Sequence, residues 1–136
     1  MKKTYLLVIS ALISIQLNSC SDQITNTCDT GVQEFSGSFA EVQAEVFTPY
    51  CMGCHGNTQP SGNLNLASNS AYESLINESA QASDLSLVKP GDVGQSYLMK
   101  RLKAEDGESP MPPAGKLPKG LIDLVALWIE QGALEN

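Results

Sequence analysis

Two of the four cysteines and the only histidine of this 136-residue chain fall within five positions, in "PYCMGCHG", residues 49–56. Cys51, Cys54 and His55 in this spacing are compatible with a redox dithiol, part of a zinc site, or the attachment point of a covalent haem. Each chemistry makes a different demand on the rest of the chain. A structural zinc needs four ligands from Cys, His or carboxylate. The other thiols, Cys20 and Cys28, lie in polar sequence near the start, and adjacent Cys54 and His55 are badly placed to bond one tetrahedral ion together. A thioredoxin-like dithiol wants its pair at a helix N-terminus inside a βαβ pattern. Here the pair follows a helical pattern and Pro49, and strand patterns are lacking. A structural Cys51–Cys54 disulfide is disfavoured too, although an exported compartment permits one.

C-x-x-C-H is the attachment signature of c-type haem. On a helical turn, two intervening residues bring both sulfurs to one side, where each adds to one vinyl group at the porphyrin edge. His55, next in sequence, then turns toward the iron as proximal ligand. Gly56 leaves room for the chain to pass the macrocycle. A second axial ligand cannot be histidine, since His55 is the only one. The thioether candidates are Met52, Met99 and Met111. Met52 is tied to the proximal side, and Met99 has helical spacing, where methionine is commonly core or surface filler. Met111 lies in "SPMPPAG", whose prolines stiffen an extended loop that can hold sulfur over iron at low entropic cost. The other role open to Met111 is packing the loop onto the core, which leaves the iron open or water-bound.

The elements that must position these groups are helical. Ser38 and Glu41 form a capping box, and Phe39, Val42, Val46 and Tyr50 recur on one face of a helix that Pro49 should end or kink. Residues 56–68 read as a loop, with Leu64 and Leu66 in a short extended piece. Ser70 and Glu73 form a second capping box before a short helix in residues 71–77. A Pro-Gly turn at 90–91 leads into a helix from about Gln95 or Ser96, burying Tyr97, Leu98 and Leu102. Residues 106–117 hold three prolines and two glycines and cannot be regular. The last helix starts near Pro118, buries Leu121, Val125 and Trp128, and ends before Gly132. The expected class is all-α, with about four helices.

The first residues predict export. Lys2 and Lys3 precede an apolar run at 5–17, too short and interrupted for a membrane span, as in a secretory signal peptide. "LNSC" resembles a bacterial lipobox, with Leu17 and Ser19 in the usual places and Asn18 a less usual middle residue. The resemblance implies lipid attachment at Cys20, with residues 1–19 removed. The other reading is an ordinary signal peptide with Cys20 a bystander. Residues 20–37 read as a polar tether carrying an extra cysteine, Cys28, and residues 38–136 as the domain. All 15 acidic residues follow Cys20, whereas two of the eight basic ones precede it, so the mature chain is more acidic than the whole-chain net charge of −7. That argues against nucleic acid as a partner and leaves lipid as the membrane anchor. It also suits a redox partner with a basic docking patch.

Residues 50–56, 61–68, 71–77, 88–102, 111–117 and 121–133 together resemble single-haem c-type cytochromes, most closely the planctomycete-type cytochrome c domain. The terminal Trp128-Ile129-Glu130-Gln131-Gly132-Ala133 is similar to that family's closing Trp-Ile-x-x-Gly-Ala. The resemblance implies a class I cytochrome c-like fold around one covalent haem c, its first and last helices crossing near the haem edge. It implies Cys51 and Cys54 as thioether anchors, and His55 and Met111 as axial ligands. The chain departs from the family at Lys119 and Gly120, where acidic residues are usual, and at Cys28. The expected role is single-electron transfer between exported redox partners, in the periplasm or at the cell surface, and not enzymatic catalysis. The alternatives are a haem sensor or small haem enzyme with an open distal site, and a lipoprotein adaptor without haem.

Overall fold

The first helix begins at Ser38, whose side chain accepts a hydrogen bond from the Glu41 N–H at 3.2 Å. The structure, a computed structural model, describes residues 34–76, 78–105 and 107–136. The signal segment, Cys20 and Cys28 lie outside the described residues. Glu41 returns only a minor contact to the Ser38 N–H. Its carboxylate reaches further back and accepts from the Ser36 N–H, the Ser36 hydroxyl and the Gly37 N–H. Asn136, at the other end of the chain, takes the next two donors: its side-chain oxygen accepts from the Phe39 N–H and its backbone oxygen from the Ala40 N–H.

Pro49 does not end this helix. α1 (Phe39–Val42) passes into a π-helical segment (Gln43–Cys51), which passes into α2 (Met52–His55). An α-helical proline clashes with the carbonyl four residues back and lacks the N–H that should bond it. The wider π turn shifts that pairing by one residue, as in the Met52 N–H bond to the Phe47 carbonyl, and so accommodates the ring. The cysteine motif therefore continues the first helix instead of starting a new element.

α3 (Ala71–Leu75) is shorter than its sequence pattern. The Ser70 hydroxyl caps nothing and donates to Asn69 instead. The Ala67 carbonyl already accepts the Ser70 and Ala71 N–H groups, so the turn starts the helix without a side-chain cap. Ile76 then leaves helical geometry and forms an isolated bridge with Val88. A 3-10 turn (Val93–Gln95), capped by Asp92, leads to α4 (Tyr97–Lys103), which stops at left-handed Ala104. α5 (Lys119–Glu130) follows Pro118, which occupies the cap rather than the first helical position. Lys119, ill placed for the helix dipole, pairs with Asp123. α5 ends in a Schellman motif: the Gly132 N–H bonds the Ile129 carbonyl and the Ala133 N–H that of Trp128. Gly132 supplies the positive φ (96°) that this ending needs.

α5 packs against both α1 and α4. Phe39 of α1 meets the Trp128 ring at 5.3 Å and the Tyr72 ring at 5.2 Å between centroids. Both polar tips find carbonyls after α5: Trp128 Nε1–H donates to Leu134 and the Tyr72 hydroxyl to Ala133. Val42, Val46, Phe47, Leu124, Val125 and Ile129 complete this buried layer. Leu121, expected in the buried stripe, is only half-buried at its edge. The described residues contain no strand, only three isolated bridges, so the class is all-α as expected. Among them, no helix is long and apolar enough to cross a membrane.

Candidate haem-binding site

Cys51, Cys54, His55 and Met111 line one cavity of about 330 Å³. The continuous first helix delivers the first three, and the proline-rich loop after α4 delivers the fourth. Phe47, Leu64, Leu66, Leu98 and Leu102 supply apolar wall, and all but half-buried Leu64 are buried core residues. The other two methionines lie elsewhere. Met99 is buried at 1 % exposure in the core, and Met52 packs back toward Gly56. Gly56 itself answers to the backbone: a Cβ there would stand 2.9 Å from the Met52 carbonyl oxygen. The need for glycine is met in the chain's own preceding turn.

The tautomer of His55 follows from its partner. Its Nδ1 lies 3.2 Å from the Leu64 carbonyl oxygen, and a carbonyl can only accept, so Nδ1 carries the proton and donates. Neutral imidazole then keeps its lone pair on Nε2. A ligating histidine is usually oriented by such a bond from its other nitrogen. The Leu66 N–H bond to the His55 carbonyl, at 2.7 Å, ties the same two segments together from the backbone side. The extended piece at 64–66 thus serves as a brace for the imidazole.

Cys51 and Cys54 are free thiols, the first half-buried and the second exposed. Burial first, and the neighbouring Cys54 second, push the Cys51 thiol up to about 11. Dithiol redox catalysis needs the opposite, a thiol lowered by positive surroundings. Among the described residues no group of three or more His, Cys, Asp or Glu is placed to hold a metal ion. The donors that do converge are two thiols, an imidazole and a thioether on an apolar cavity, a set suited to haem iron and its attachment.

Met111 is fixed from α4. Its N–H donates to the Arg101 carbonyl at 2.9 Å, its peptide bond to Pro112 is cis, and Pro112 and Pro113 line the cavity beside it. Sequence reasoning did not find Arg101, which lines the cavity, nor the second role of Tyr97, read only as core. The available signal was their four-residue spacing on α4, which stacks the guanidinium over the ring at 5.7 Å. Tyr50 also lines the cavity although it is 45 % exposed, which places it at the mouth.

A family model described as planctomycete cytochrome C matches residues 51–115. The match runs from the first cysteine of the motif through the methionine loop and so spans all four converging residues. Neither the curated proteins nor the solved structures that were compared gave a match. The cytochrome c domain implies a covalent haem c, an electron carrier more than an enzyme, and a class of protein that is typically exported. Residues 51–115 of this chain match that family model, consistent with a planctomycete-type cytochrome c domain.

Proposed function

We propose that this protein is an exported, lipid-anchored cytochrome that carries one covalent haem c and passes single electrons between redox partners. The observation that carries the reading is the convergence of Cys51, Cys54, His55 and Met111 on one apolar cavity. Haem c supplies a one-electron ferric/ferrous couple when bound. Cys51 and Cys54 hold it through thioether bonds. His55 presents Nε2 to the iron because its Nδ1–H is engaged by Leu64. Met111 supplies a neutral sulfur, which favours the ferrous state. The leucine and phenylalanine walls keep water from the site, and the stiff loop and braced imidazole limit rearrangement between redox states. Cys20 carries the lipid that keeps the carrier beside a membrane, in the periplasm or at the cell surface. The acidic surface suits a partner with a basic docking patch.

The test is Met111→Ala with carbon monoxide. The parent, reduced at neutral pH, should bind carbon monoxide slowly and incompletely, and the variant rapidly and fully, with a lowered potential. Rapid, complete binding by the parent would instead favour a sensor or enzyme with an open distal position.

A further inference from the structure

The Met111 loop is held by a polar clasp that the attachment motif does not include. Arg101 bonds it twice: its carbonyl accepts the Met111 N–H at 2.9 Å, and its Nε–H donates to the Ser109 carbonyl at 2.8 Å. The Tyr97 hydroxyl accepts from Arg101 Nη1 at 3.4 Å and donates to Glu108 Oε2 at 2.9 Å. Glu108 Oε2 in turn lies 3.8 Å from Arg101 Nε. The three side chains thus close a ring between α4 and the residues just before Met111. Tyr97 is 5 % exposed, and the Arg101 and Glu108 side chains are 20 % and 30 % exposed, so water competes with these bonds only in part.

We propose that Tyr97, Arg101 and Glu108 are positioning residues that set how readily the Met111 sulfur leaves the iron. This rests on the reading of Met111 as the distal ligand. Among the described residues of 104–118 there is no helix or strand to hold a side chain in place, only isolated turn bonds. Moving the loop to lift the sulfur away parts residues 108–111 from α4, and every bond of the clasp opposes that movement. Displacing the sulfur by that route costs what the clasp costs to open. Glu108 is not among the residues that line the cavity, so changing it perturbs the clasp without touching the haem pocket.

The probe is imidazole binding to the ferric holoprotein, read optically together with the methionine-sulfur-to-iron absorption band. Glu108→Gln keeps the shape and removes the charge; Tyr97→Phe keeps the ring and removes the hydroxyl. Each should raise imidazole affinity about two- to tenfold, the span of one partly exposed hydrogen bond. Each should also speed amide exchange at Met111. Gly37→Ala, destabilising at the far side of α5, should leave imidazole affinity at the parent value. A parent that shows the sulfur band, with both clasp variants unchanged in imidazole affinity, overturns the clasp alone. An equal rise in Gly37→Ala overturns it as well, since the effect would then be global. A parent without the sulfur band refutes the distal-ligand reading, and the clasp with it.

Discussion

Trp128→Ala should be among the most damaging single substitutions in the domain. Trp128 is 1 % exposed and sits where α5 meets α1, its ring 5.3 Å from that of Phe39. Truncating a buried tryptophan to alanine costs about 3–5 kcal/mol through lost transfer energy and the cavity left behind. The indole N–H bond to the Leu134 carbonyl is lost too. Trp128→Phe keeps most of the aromatic contact and gives up the hydrogen bond and some area, for about 1–2 kcal/mol. In a domain of this size each kcal/mol lowers Tm by about 4–8 °C, so the alanine variant should melt roughly 12–40 °C below the parent. Thermal and urea unfolding of the holoprotein measure both. A cost near zero for alanine, or equal costs for the two variants, would refute the packing argument. The consequence reaches the site because α1 is continuous with the segment that carries Cys51, Cys54 and His55.

Gly37→Ala should lower stability by about 1–3 kcal/mol, from strain at positive φ and overpacking. Gly37 has φ +75°, and a Cβ there would approach Leu127 Cγ to 2.7 Å and Gln131 Oε1 to 3.0 Å; an unchanged urea midpoint would contradict this. Glu41 has its carboxyl held below the ordinary value of 4.5, first by the Ser36 hydroxyl. A lowered folded value means the unfolded chain binds the proton more readily, so this contribution is present above 4.5 and lost as pH falls through the folded value. Glu41→Gln should therefore flatten the acid side of the stability–pH curve relative to the parent; superimposable curves would disprove the coupling.

Much of this fold could be read from sequence because its signals were local and unopposed. Apolar spacing and Gly132 located α5, and Ser38 located the first helix start. The misreadings came where a tertiary partner outbid the local rule. Pro49 reads as an end or a kink because the α-helical register is the default; the helix does not end there, since the π segment admits the ring. Glu41 looked like half of a reciprocal box, but Ser36 and Gly37 offered three donors at once. Ser70 looked like a cap, but its hydroxyl donates to Asn69, and a turn closed on the Ala67 carbonyl starts the helix. The site divides in the same way. Cys51, Cys54 and His55 announce themselves by spacing, and Met111 by the prolines around it. The Leu64 carbonyl acts through a backbone atom, and Glu108 joins the i,i+4 pair of Tyr97 and Arg101 from a loop, so residue types alone do not place either one.

Covalent haem attachment is tested by the mass of the intact protein after export from a host that attaches haem, measured with its reduced-minus-oxidised spectrum. The exported protein should show a mass increased by one haem that survives denaturation, with a c-type reduced spectrum, and should lose both when Cys51 and Cys54 are changed together to serine. A correctly exported protein that carries no covalent haem, or one that keeps it without those two cysteines, would contradict that expectation.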